Sequence, residues 1–266
     1  MIVTRRMFSK WTIEQVRFLK REYNLDAEEG YYSLYIEEND IYFQLEPVFE
    51  KWDIKSERFF EFSKEEILNA KYSIIHGRYD GGYPMPDNDF GFQKLTYDME
   101  KQCQKCKIIR VQKDAFRLKK VPKHKLFGLT WIYDELFVQL EVYHSVFEPL
   151  GIKCKEVKLF KGDKITQNIV QLVIPDTDES LDLHEYSSQI CSVCGRIKYE
   201  AKVNGFYPIQ KSPLPYLYRS KEYFGDGGAA NRKIFISGEL RDILIKEKIM
   251  KYYWFDPCTA ANNAEK

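Results

Sequence analysis

Apolar positions change period several times along this chain. Over residues 12–23, Ile13, Val16 and Leu19 recur at helical spacing, and Thr12 stands three residues before Gln15, the arrangement of a capping box. This predicts a helix. Residues 31–36 and 41–45 are short runs rich in Tyr and Ile, separated by Glu-Glu-Asn-Asp, and predict the two strands of a hairpin. Ser63 and Glu66 form a second capping box, with Phe62 and Ile67 placed as a hydrophobic staple. A short helix therefore starts there and ends near Lys71, and residues 72–76 read as a strand.

Gly and Pro then crowd residues 77–89, a density that opposes regular structure. Long loops inside compact chains are often functional, which makes Tyr79, Asp80, Tyr83, Asp87 and Asp89 candidate partner-contacting residues. Residues 131–149 lean helical through Phe137, Val138, Val142, Val146 and Phe147. Strands at 155–160 and 169–174 flank a Gly162-Asp163 turn, and an acidic linker covers 176–185. Beyond it come a strand at 197–203, an Asn204-Gly205 turn, and a loop holding Pro213, Pro215 and the run Gly225-Asp226-Gly227-Gly228. The chain closes on a strand at 233–236, a helix that Ser237 can cap, a strand at 252–255 and a polar tail from Thr259. Phe137-Val138 and Phe235-Ile236 each precede an apolar helix and a further strand. This repetition reads either as a degenerate duplication or as common strand–helix–strand grammar.

The six cysteines change the picture most. Four stand as Cys103-Gln-Lys-Cys106 and Cys191-Ser-Val-Cys194-Gly195. Two residues between thiols let both sulfurs of a turn face one ion, and two such pairs supply the four soft ligands that a tetrahedral Zn²⁺ takes. Cys103, Cys106, Cys191 and Cys194 are thus the expected ligands of one structural zinc site, the alternatives being a redox disulfide pair or two unrelated buried pairs. Gly195 suits the positive φ that closes such a turn. The 84 residues between Cys106 and Cys191 make any zinc ribbon a split one. An all-thiolate site is coordinatively closed, so the expected metal is structural. Cys154 and Cys258 read as small hydrophobes. His76, His124, His144 and His184 fit no catalytic metal motif, and no phosphate loop or nucleophile elbow is present. We therefore expect a non-enzyme with no catalytic residues. The expected fold class is α+β, mainly antiparallel sheet with a split zinc ribbon and several short helices. The expected division is an N-terminal α+β part, 1–98, and a zinc-ribbon and strand–helix–strand part, 99–266.

Charge adds a choice of partner. The net charge of +1 gives no overall field toward nucleic acid. Residues 22–100, however, carry 19 acids against 7 bases, and residues 101–125 carry 10 bases against Asp114 alone. The two stretches either neutralise each other or serve partners. The acidic one would face a basic protein. The basic one, with Lys105, Lys107, Arg110, Lys119 and Lys120, would face nucleic acid as the competing function. No apolar stretch follows the basic residues near the start, and nowhere do 18 apolar residues run together. These features, with paired rather than scattered cysteines, predict a cytoplasmic protein with no membrane partner. The 19 Tyr and 18 Phe suit both sheet cores and contact surfaces.

The two C-x2-C pairs and the segment from Ile234 or Ile236-Ser237 through Leu240 to Phe255 and Pro257 resemble the double-CXXCG-motif proteins and related immunity-protein families of bacterial polymorphic toxin systems. The resemblance spans roughly residue 103 onward. It departs at the first pair, where Lys107 stands in place of glycine. It implies a zinc-stabilised protein that binds and neutralises a toxin domain without catalysis.

Overall fold

The computed structural model describes residues 1–82, 91–108, 111–201, 205–210 and 214–260. The chain forms two compact units, Met1–Glu66 and Ile67–Lys266. The division falls ahead of the expected boundary near Asp98, because Tyr72–Ile75 forms the central strand of a sheet whose other strands come from the last third of the chain.

In the first unit, β1 (Ile2–Trp11), α1 (Ile13–Tyr23), β2 (Gly30–Glu37), α2 (Asp40–Lys51) and β3 (Ser56–Glu61) follow in order. The strands make an antiparallel sheet of order β2-β1-β3. Met7, Trp11, Leu34 and Ile36 point to one face of that sheet and pack with Leu19 of α1 and Tyr42, Leu45 and Phe49 of α2. Side chains of this kind contribute about 1.5–3 kcal/mol each when fully buried. The capping box at Thr12 and Gln15 is present, and Asn24 ends α1 in the left-handed conformation. The hairpin expected over 31–45 is not. Its first run is β2, but Asn39 caps a helix, with its side chain accepting from the amides of Ile41 and Tyr42. Tyr42, Leu45 and Phe49, three and four residues apart, then give that helix its buried stripe.

A short helix, α3 (Lys64–Asn69), begins with the expected box. Glu66 N donates to Ser63 Oγ and Ser63 N to Glu66 Oε2.

The second unit continues with β4 (Tyr72–Ile75), β5 (Tyr79–Gly82), α4 (Gly91–Thr96), β6 (Tyr97–Asp98), β7 (Val111–Gln112), β8 (Arg117–Leu118), β9 (Leu126–Thr130) and β10 (Ile132–Gln139). Next come α5 (Leu140–Val142), which runs into a π turn at Tyr143–Phe147, then β11 (Cys154–Leu159), β12 (Ile165–Leu172), β13 (Ser188–Ile190) and β14 (Ile197–Tyr199). The chain proceeds through β15 (Tyr207–Ile209), β16 (Leu217–Arg219), β17 (Tyr223–Phe224), β18 (Ile234–Ser237), α6 (Gly238–Lys246) and β19 (Phe255–Ala260). A six-stranded sheet runs β5-β9-β10-β12-β11-β8 and a five-stranded one β15-β19-β4-β18-β16. Most pairings are antiparallel; β5–β9, β8–β11, β14–β17 and β15–β19 are parallel. The fold is α+β, with six helices among the described residues and mostly sheet.

Residues 132–139, expected to be helical, are a strand whose alternate residues Ile132, Asp134, Leu136 and Val138 are buried. The helix is confined to the turns after Gln139. The Gly- and Pro-rich stretch contributes β5 at its start, while 83–89 lies outside the described residues. Among the described residues, the loop expected over 206–232 holds three short strands. The strand expected at 252–255 is displaced to 255–260, behind one helical turn. Both strand–helix–strand segments share a connectivity. A third strand lies between their two strands and antiparallel to each, β12 in one and β4 in the other. That middle strand follows its segment in the first case and precedes it in the second, so chain order does not repeat.

Candidate metal centre

The first cysteine pair sits between β6 and β7, which pair through Tyr97↔Gln112 and Asp98↔Val111. The second caps the β13–β14 hairpin, where Ile190 faces Ile197 in register. Each C-x2-C thus occupies the tip of a two-stranded antiparallel ladder.

The two turns are built alike. Cys103 N donates to Ile108 O at 3.2 Å and Lys107 N to Cys103 O at 2.8 Å. In the second turn, Cys191 N donates to Arg196 O at 2.9 Å and Gly195 N to Cys191 O at 2.8 Å. Both turns close on a residue in the left-handed region, Lys107 at φ 56° and Gly195 at φ 69°. Lys107 occupies the conformation that Gly195 adopts freely, at a cost of about 1–2 kcal/mol for a residue with a Cβ. Gln102 steadies the first turn by donating to Lys107 O at 2.6 Å, and Lys105 Nζ reaches Ser192 Oγ of the second at 2.6 Å.

The turns meet sulfur to sulfur. Cys103 Sγ is 3.8 Å from Cys191 Sγ and Cys106 Sγ is 3.7 Å from Cys194 Sγ, and all four sulfurs lie within 4.8 Å of one another. A disulfide would need about 2.05 Å, and the thiols are free. Cys106 and Cys191 are buried, Cys103 is half-buried and Cys194 is exposed. Beneath them Ile108 and Ala230 complete a small apolar cluster with Tyr223 against it. Arg196 lies over the Tyr223 ring at 5.3 Å.

The backbone prepares the sulfurs for charge. Amides of Cys106 and Lys105 donate to the Cys103 thiolate and lower its pKa. Amides of Cys194 and Val193 hold the Cys191 thiol down to about 6. Burial, reinforced by the surrounding sulfurs, pushes Cys106 up to about 12. Four sulfurs this close are not all ionised without a cation among them; one divalent ion would offset half of the charge of four thiolates and suit their geometry. These residues can hold a metal ion.

His184, the one histidine near the second pair in sequence, is exposed and bonds Asp182 at 2.6 Å, outside the sulfur cluster. Cys258 is buried in β19, and Cys154 is half-buried at the start of β11. Tyr79 lies on β5, its ring edge-on to Tyr133 at 4.8 Å and against Gly128, where any Cβ would meet the ring at 2.7 Å. Asp80 shares that strand, and Tyr83, Asp87 and Asp89 lie outside the described residues. In the basic stretch, Lys101 pairs with Asp98, Lys107 Nζ reaches Gln104, and buried Arg117 pairs with Asp114 and Asp163. Arg110 lies outside the described residues.

Sequence reasoning missed the exposed apolar rim of the second turn, Ile190, Val193 and Ile197. The signal was available as an aliphatic residue either side of and within Cys-Ser-Val-Cys. Among the described residues no helix is long and apolar enough to cross a membrane. No protein-family model, curated protein or solved structure matches the chain.

Proposed function

We propose that Cys103, Cys106, Cys191 and Cys194 hold one structural Zn²⁺ in a split zinc ribbon, and that the chain is a non-catalytic, cytoplasmic interaction protein of the immunity type that binds and neutralises a toxin domain. The observation that carries the metal assignment is the sulfur spacing. Zn–S bonds of about 2.3 Å in a tetrahedron set sulfur–sulfur edges of about 3.8 Å, against 3.8 and 3.7 Å here. The ion would join two hairpins that are far apart in sequence, which is a folding role. Four protein ligands leave no position for a reacting water.

Support for the partner is the charge and the ending of the chain. The acidic first part suits a basic protein such as a nuclease, and electrostatic complementarity speeds such encounters. The alternative, a zinc-ribbon nucleic-acid binder using residues 101–125, is weakened by the pairing of Lys101 and Arg117 with carboxylates.

Two measurements test the reading. Cells producing the protein encoded by the neighbouring reading frame should survive only when this chain is co-expressed; death in both cases defeats the immunity role. A salt series of nucleic-acid binding, with wild type and a charge reversal at Lys105, Lys107, Arg110, Lys119 and Lys120, separates the alternative. Tight binding at physiological salt that the reversal abolishes would promote it.

A further inference from the structure

The first unit carries a sheet whose two faces differ sharply. One face is the core under α1 and α2. On the other, register places Ile2, Thr4, Arg6, Phe8 and Lys10 of β1 beside Tyr31, Ser33, Tyr35 and Glu37 of β2 and Glu57, Phe59 and Glu61 of β3. This face should be polar if it were only solvated. Instead Phe8 is 56% exposed, Tyr31 76%, Tyr35 58% and Ile2 50%. Phe8 and Tyr31 stack at 6.1 Å, and the Arg6 guanidinium lies 5.6 Å from the Phe8 ring. Four large side chains exposed on one pleated surface, ringed by charge, are the composition of a binding surface.

An exposed aromatic sheet fits either single-stranded nucleic acid or protein, and charge decides between them. Stacking platforms for nucleic acid run along a positive groove. Here Arg6 is already engaged by Ser33 at 3.1 Å and by Glu57 at 3.4 Å. Lys10 is the other base on this face, against Glu37, Glu57 and Glu61. Residues 1–66 as a whole carry 15 acids and 10 bases. Phosphates would be repelled, whereas a surface of Lys and Arg with an apolar anchor is complementary in both respects.

We infer that the face of the β2-β1-β3 sheet formed by Phe8, Tyr31, Tyr35, Glu37 and Glu61 is the docking surface for a basic protein partner. Tyr and Phe anchor it, and the glutamates at its margin select for basic groups. The inference deepens the interaction-protein reading and rests on it, moving the contact from the Gly- and Pro-rich loop to this sheet.

The test pans a displayed library of random peptides on the immobilised full-length chain. The expected products are Lys- and Arg-rich sequences with an aromatic or aliphatic residue. Their affinity should fall about 100-fold in the combined variant Phe8→Ser, Tyr31→Ser, Tyr35→Ser. All three side chains are exposed, so an unchanged circular dichroism melt serves as the folding control. A second variant, Glu37→Lys with Glu61→Lys, keeps the aromatics and should cost about tenfold, more at low salt. Four results overturn the inference: no enrichment, peptides that bind both variants as well as wild type, a wild-type dimer that the triple variant dissociates, or oligothymidine binding that the triple variant loses. Failed panning with successful toxin protection would remove this face and keep the immunity role. Successful panning with failed protection would do the reverse.

Discussion

Cys103 and Cys191, 88 residues apart in sequence, place their sulfurs 3.8 Å from each other. Each is the first cysteine of its turn, and the second cysteines, Cys106 and Cys194, meet the same way at 3.7 Å. The pairing across turns is closer to a shared ion than to two separate redox pairs. A redox pair needs only the two sulfurs of one turn, whereas here all four sulfurs lie within 4.8 Å of one another.

The first prediction is metal content and what its loss does. Purified protein should carry about one equivalent of zinc. Structural zinc contributes about 10–16 kcal/mol of binding energy in small fingers, so Cys191→Ser or a strong chelator should release the hairpins at residues 97–112 and 188–199. Hydrogen exchange should show protection lost there and kept across β1, β2 and β3. Equal exchange with and without chelator, in a protein that elemental analysis finds free of metal, sinks the assignment.

Lys107 and Gly195 supply the second prediction, because they hold equivalent left-handed positions with different side chains. A Cβ on Gly195 would meet nothing within 4 Å, so its cost is backbone strain alone. Gly195→Lys should therefore destabilise by about 1 kcal/mol and Lys107→Gly should stabilise by about the same or somewhat less. Urea unfolding midpoints of the zinc-loaded protein check both signs. A loss from Lys107→Gly would mean that its Nζ contact with Gln104 outweighs the strain.

What could be read in advance was local chemistry, and what could not was long-range pairing. Thr12 with Gln15, Ser63 with Glu66, and Ser237 are caps whose partners lie three residues away, and all three are formed. The cysteine turns belong with them. Residues 132–139 were misread because Asp134 and Glu135 interrupt an apolar strand, and their partners come much later in the chain. Arg219 reaches Glu135 at 2.6 Å and Arg232 reaches Asp134 at 3.8 Å. β1 was hidden for the same reason, since Arg5 sits on its inner face and is held there by Glu38. For residues 41–45 the β propensity of Ile, Tyr and Phe lost to the Asn39 cap and the burial of Tyr42, Leu45 and Phe49, a tertiary override of a weak preference.

Arg241 carries the third prediction. Its side chain is buried, and it donates to the carbonyls of Ile67 and Leu68 at 2.6 Å and of Ala70 at 2.7 Å, closing the end of α3. Leaving such carbonyls buried without donors costs about 1–3 kcal/mol each. Arg241→Leu should cost about 3 kcal/mol or more, and Arg241→Lys should recover part of it. Gly238 lies against the same carbonyl. A Cβ there would stand 2.9 Å from Ala70 O and 3.2 Å from Arg241 Nη2, so Gly238→Ala should cost about 1–3 kcal/mol by overpacking. A Gly238→Ala protein as stable as wild type, by denaturant melts of the full chain, would refute this packing.

The last prediction concerns acid. Arg117 donates to Asp114 Oδ2 at 2.5 Å, and the Ala115 amide at 2.7 Å and Lys158 at 3.2 Å donate to Oδ1. The Arg117 hydrogen bond is the largest of the influences that hold the Asp114 pKa down to about 2. Asp163, on the other side of the same guanidinium, is lowered as well. In the unfolded chain an aspartate titrates near about 3.9. Between these values the unfolded state binds more protons, so the pair's contribution is complete above about pH 4 and is lost as pH falls toward about 2. Asp114 is partly exposed, and salt should shrink the effect. Stability of wild type and Asp114→Asn, compared by urea melts across this range, should differ most near neutrality and converge in acid. A gap that stays constant with pH would show that Asp114 acts through packing and not through its charge.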